Sequence, residues 1–139
     1  MNQKGFTLIE CMVAVVILGL CALPIASYFA SAVRLQKRET ILFQAGNAAD
    51  DVLLLVTEAE LPAGEDPSFL LRSYTEQGLF TELSMREEAF SFRYQNYLVL
   101  LWITDCGSFW RVDVELQYVV NDGDQFLRKK GVIRHASDE

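Results

Sequence analysis

Helical spacing governs the N-terminal part of this chain, and strand alternation governs its C-terminal part. No charge falls between Glu10 and Arg34, and the positions from Cys11 to Val33 are mostly Val, Ile, Leu, Ala and Phe. A helix needs about 20 apolar residues to span a bilayer, and this run supplies them. Beyond Arg34 the apolar positions thin to a stripe. Leu42, Ala45, Ala49, Val52, Val56 and Ala59 recur in alternating steps of three and four, while Glu39, Gln44, Asn47, Asp50, Asp51, Glu58 and Glu60 lie largely off it. That is an amphipathic helix, and Leu53, Leu54 and Leu55 broaden its buried side as a globular head requires. With no proline between Arg34 and Leu61, one helix from Phe6 to about Leu61 is expected, on the order of 80 Å long. Half of it must lie outside any small head. Pro24, Gly19 and Gly46 are its weak points, and Pro24 is expected to kink it by removing one hydrogen bond.

Pro62-Ala63-Gly64-Glu65-Asp66-Pro67 ends the helix. From Ser68 to Glu88 no period is legible. Phe69-Leu70-Leu71 fits either a short strand or a helical turn, and Glu82, Glu87 and Glu88 read as a solvated face. From Phe90 the period becomes two. Phe90, Phe92 and Tyr94 alternate with Ser91, Arg93 and Gln95; Tyr97–Thr104 is a continuous apolar run with the profile of a central strand. Val112, Val114, Leu116, Tyr118 and Val120 alternate with polar residues as a half-buried strand. Asn121-Asp122-Gly123-Asp124 reads as a hairpin turn into a last strand over 125–134, with Ala136–Glu139 as a tail. The fold class expected is α+β: a long N-terminal helix, hydrophobic in its first half, packed against a small antiparallel sheet of three to four strands.

The edge of the apolar run carries the most specific signal. Lys4-Gly5-Phe6-Thr7-Leu8-Ile9-Glu10 sets a basic residue and a glycine before the run and one carboxylate inside it. An ionisable group at membrane depth costs roughly 2.5–3.5 kcal/mol and marks a functional site by default. A secretory signal cleaved after Ala30-Ser31-Ala32 would leave Glu10 out of place in its apolar region. A lipoprotein signal at Leu18-Gly19-Leu20-Cys21 has Leu20 where a small residue is wanted. A plain anchor leaves Glu10 unexplained. Gly5-Phe6-Thr7-Leu8-Ile9-Glu10 with the run behind it resembles the processing signal of type IV pilins and of the pseudopilins of type II secretion, which uses Gly5, Phe6 and Glu10 together.

That resemblance implies cleavage between Gly5 and Phe6 by the prepilin peptidase, which also N-methylates Phe6. Residues 1–5 would be the leader, 6–33 the half of the helix held in the membrane or a filament core, and 34–139 the exported head. Lys4 places residues 1–5 in the cytoplasm, although Arg34, Lys37 and Arg38 flank the far side. In a filament, the Glu10 carboxylate would pair with the Phe6 amine of a neighbour; the alternative is that Glu10 only caps its own helix. The implied partners are other minor and major pilin-like subunits, the inner-membrane assembly platform and the lipid bilayer.

Composition trims the remaining classes. A formal charge of −7, with no large basic block, argues against nucleic acid. Cys11 and Cys21 lie about 15 Å apart along a helix and cannot bridge, and Cys106 is expected to be buried. The chain's single histidine, His135, lies near the C-terminus, so no metal-type Cys/His spacing exists. The turn Asn121–Asp124 offers few of the six to eight oxygens calcium wants. Arg128-Lys129-Lys130 reads as charge guarding an edge strand. No catalytic, cofactor or metal residue is found, and the chain reads as a substrate of enzymes, not an enzyme. The small head, the lack of a cysteine pair near the C-terminus, and the Leu42–Leu55 pattern are similar to I-type minor pseudopilins of type II secretion and to the corresponding minor pilins. Such a subunit would join a small complex that primes assembly at the tip, and its partner helices are expected to meet the stripe from Leu42 to Ala59. The rival is an exported binding module behind an ordinary signal or anchor.

Overall fold

The long helix forms as the spacing predicts. The computed structural model describes residues 7–59, 66–86, 88–120 and 123–134. In it, α1 runs Leu8–Thr57, a helix of 50 residues that passes through Pro24 without interruption. Glu58 and Ala59 are bent, so the helix stops short of the expected Leu61, which lies outside the described residues along with most of the Pro62–Pro67 terminator.

The chain divides into two units, Met1–Thr40 and Ile41–Glu139. Every described residue of the first unit is exposed. Ser27 and Ser31 spend their hydroxyls on carbonyls within the helix, donating to Pro24 O at 2.8 Å and Ser27 O at 2.9 Å. Such local bonds keep polar groups satisfied along the exposed part of the helix.

The second unit contains the core. After α1 come α2 (Ser68–Glu76) and strands β1 (Thr81–Arg86), β2 (Ala89–Tyr94), β3 (Tyr97–Asp105), β4 (Phe109–Val120) and β5 (Gly123–Arg134). They form one antiparallel sheet in the order β1-β2-β3-β4-β5. Five strands therefore replace the three to four expected. The extra one is β1, and its residues are nearly all exposed, so no apolar alternation betrays it. Its register also shifts between Thr81 and Ser84, where Glu82 takes φ 56°; a bulge breaks the period of two. The segment Phe69-Leu70-Leu71 proves helical. Helix α2 ends where Gly78, at φ 76°, donates to Thr75 O, the left-handed position that glycine takes without strain.

One face of the sheet packs on residues 41–57 of α1. Ala45, Ala49, Val52 and Val56 are fully buried there against Phe92, Val99, Leu101, Val112, Val114 and Leu116. The alanines let the helix approach the sheet, and Gly131 of β5 lies directly beneath Leu53 and Thr57. An aromatic group seals the β1–β2 end: Phe80 stacks on Phe92 with ring centroids 4.2 Å apart and meets Tyr74 and Tyr94 edge-on. Such pairs add about 0.5–1.5 kcal/mol beyond burial.

Two local expectations change. Cys106 is exposed, not buried, because it falls in the short link between β3 and β4. The hairpin before β5 is present in its flanks, Val120 opposite Gly123, while residues 121 and 122 lie outside the described residues, as do His135 and Ala136–Glu139.

Candidate functional site

Glu10 sits in the first turn of α1 and works there as a helix cap. The Glu10 N–H donates to Thr7 Oγ1 at 3.4 Å, and the Thr7 N–H donates back to Glu10 Oε2 at 3.5 Å. This reciprocal arrangement is a capping box, Thr-x-x-Glu, which satisfies two backbone donors that the helix start leaves open. The pattern was legible in Thr7-Leu8-Ile9-Glu10, where Thr7 otherwise reads only as part of the processing signal. Both bonds sit at the long limit of hydrogen bonding. The carboxylate is thus exposed and loosely held, free to exchange its partner. Lys4, Gly5 and Phe6 lie outside the described residues.

The surface behind Glu10 is apolar on every side. Leu8 is 82% exposed, Leu18 74% and Leu23 71%, and Val15, Ile17, Tyr28 and Phe29 are exposed with them. Burying one such side chain is worth about 1.5–3 kcal/mol, so this stretch gains free energy wherever it is taken out of water. The stretch is long and apolar enough to cross a membrane, by length and composition.

Within the second unit, the structure reassigns the stripe. Ala45, Ala49, Val52 and Val56 are each 0% exposed beneath the chain's own sheet, so no partner helix reaches them. The face of α1 that remains open there carries Phe43, Asn47, Asp50, Asp51, Leu54 and Glu58. These positions fall within about a third of a turn on either side of one line at 100° per residue. Asp50 is tied to Lys129 of β5 at 3.0 Å.

Among the described residues two titrating groups are shifted, and both serve the helices. The hydroxyl and N–H of Ser68 donate to Asp66 at 2.7 and 2.9 Å, and these bonds hold its carboxyl below the usual carboxylate range. Burial, with Glu58 nearby, raises the Tyr74 phenol above its ordinary value; its hydroxyl donates to Leu55 O at 2.8 Å and ties α2 to α1. Among the described residues no group of three His, Cys, Asp or Glu side chains could hold a metal ion.

The profile of one sequence family, the prokaryotic N-terminal methylation motif, matches residues 1–26. This match spans Gly5, Phe6, Glu10 and the start of the apolar run. No curated protein and no solved structure matches the chain.

Proposed function

We propose that this chain, whose residues 1–26 match the prokaryotic N-terminal methylation motif, is a type IV pilin-like protein and a non-enzymatic minor subunit of a type IV pilus or a type II secretion pseudopilus. It is made as a single-pass inner-membrane precursor, cut between Gly5 and Phe6 by the prepilin peptidase, and N-methylated at Phe6. It then joins other minor and major subunits through α1 and helps to prime or cap the filament. The observation that carries this reading is the pairing of the methylation motif with a helix whose first unit is exposed on all sides.

Energetics indicate how Glu10 serves both states. Near the helix N-terminus its carboxylate contributes about 0.3–1 kcal/mol. Facing a neighbour's Phe6 ammonium in an apolar core, it belongs to a buried ion pair, and removing one partner of such a pair costs about 3–5 kcal/mol. Once α1 lies in an apolar core, an unpaired Glu10 carboxylate would cost more than the lost cap, so a neighbour's ammonium becomes its required partner there. The weak, long-bonded capping box parks the carboxylate until a neighbour arrives.

Intact-mass analysis of the membrane-extracted chain tests the processing step. A mature chain that begins at N-methylated Phe6 is expected, and Gly5→Leu should leave the full precursor. A chain beginning at Val33 would instead identify an ordinary exported module. For assembly, Thr7→Ala removes only the cap and should still enter complexes with partner subunits, whereas Glu10→Val should not. Equal behaviour of the two variants would reduce Glu10 to a cap.

A further inference from the structure

The two outer surfaces of the second unit carry opposite charge. The helix layer shows Asp50, Asp51 and Glu58. On the far face of the sheet, the register puts Leu98, Leu100 and Trp102 of β3 in one row. Around that row stand Arg86 and Arg93 to one side and Arg111, Arg128, Lys130 and Arg134 to the other. These are six of the eight Lys and Arg residues in 41–139. Glu82, Asp113 and Glu115 pair with part of the set. With Asp124 at the end of the same face of β5, two positive charges remain in surplus, on a chain whose total is −7.

The water-facing row of an antiparallel sheet is ordinarily polar. Here the row of the central strand is apolar and half-buried, with the Arg128 guanidinium 5.3 Å from the centre of the Trp102 ring. Beside it runs a groove of about 520 Å³ lined by Arg86, Ala89, Leu100 and Trp102. Arg86 makes no ion pair among the described residues.

We infer that this face docks an acidic peptide segment of another protein, with a carboxylate on Arg86 and an apolar side chain against Leu100 and Trp102. The surplus of positive charge selects an acidic occupant and raises its rate of encounter. The apolar row lies recessed among long basic side chains, which suits a peptide side chain more than the flat surface of a bilayer. A second copy could offer its acidic helix layer. In the assembly reading, however, that layer meets neighbouring subunits and the sheet face points away from them. For this step alone, the inference rests on the proposed function.

A displayed library of random heptapeptides, panned against the full chain in nanodiscs of zwitterionic lipid, tests it. Sequences that join Asp or Glu to an apolar residue should be enriched. Their affinity should fall about tenfold in Arg86→Glu and in Trp102→Ala, the loss of roughly one charge-assisted contact or one apolar contact. The helix-layer variant Asp51→Lys should bind as the parent does, while its incorporation into subunit complexes falls. Peptide binding by a parent chain that enters no subunit complex, or by an Asp51→Lys variant that enters them as well as the parent does, would overturn the function reading alone. No enrichment, enrichment without acidic residues, or binding that survives Arg86→Glu would overturn the docking site. Binding confined to vesicles of anionic lipid, or self-association abolished by Asp51→Lys, would replace it with a membrane or a second copy.

Discussion

Replacing Gly131 by valine tests whether the head closes by direct contact between helix and strand backbone. Gly131 lies opposite Val112 in β5. A Cβ at this position would lie 2.7 Å from Leu53 Cδ1, 3.0 Å from Thr57 Cγ2 and 3.3 Å from Leu53 Cγ. Non-bonded carbons prefer about 3.5–4.0 Å. For alanine, Leu53 can yield by leaving its rotamer, at about 0.5–1.5 kcal/mol. Escaping glycine's entropy cost returns roughly 0.5–1 kcal/mol, so Gly131→Ala should be close to neutral. Valine adds two methyl groups where Thr57 already crowds the site, and overpacking of this kind costs about 1–3 kcal/mol. A net loss of about 1–2 kcal/mol follows, a shift of roughly 5–30-fold in the folded/unfolded ratio. Leu53→Ala opens the same space, so in the double variant the valine penalty should shrink by about 1 kcal/mol, a coupling that only contacting residues show. Urea unfolding of the full chain in detergent micelles, followed by tryptophan fluorescence, reads all four species. If Gly131→Val is as stable as the parent, or its cost adds to that of Leu53→Ala without coupling, the close approach is wrong.

Three further outcomes follow from the same structure. Tyr74→Phe removes the bond to Leu55 O and should cost about 1 kcal/mol. Because folding raises the Tyr74 pKa, its contribution is complete below pH about 10 and is lost as pH rises through the folded value, so the parent but not the variant should show this alkaline loss in an ultraviolet titration. Asp66 runs the other way, since Ser68 lowers its pKa. Its capping of α2 holds above the ordinary carboxylate range near pH 4 and disappears as pH falls through the folded value; faster exchange of the Ser68 and Phe69 amides in acid would show it, and Asp66→Ala should exchange fast at neutral pH as well. Cys106, exposed in the β3–β4 link, should react with a maleimide in the folded chain, and protection until urea is added would refute its placement.

Much of the fold was legible because its signals are local. The three-and-four spacing from Leu42 to Ala59 gave the outer half of α1, and the alternation through Phe90, Phe92 and Tyr94 gave β2. β1 was hidden because an exposed edge strand with a bulge has no buried side to alternate. Of the candidate site, Gly5, Phe6 and Glu10 stood out through their sequence context, and the cap was spelled out by Thr7 three residues before Glu10. The cationic sheet face was not readable. Arg86, Arg93, Arg111 and Arg128 come from four strands, and pairing alone brings them together.

The sequence by itself determined the N-terminal methylation motif, the apolar helix and the order of the later strands, since each follows from side chains a few positions apart. Tertiary structure decided what each face meets. The stripe of Ala45, Ala49, Val52 and Val56 announced a side buried under the sheet, and packing showed that this cover is complete there, so that partners meet other faces of α1. In Arg128-Lys129-Lys130, strand geometry turns Lys129 to Asp50 on the helix side and its two neighbours to the far face. Periodicity specifies which residues share a side; the partner of that side depends on contacts distant in the chain, such as the 79-residue separation between Asp50 and Lys129.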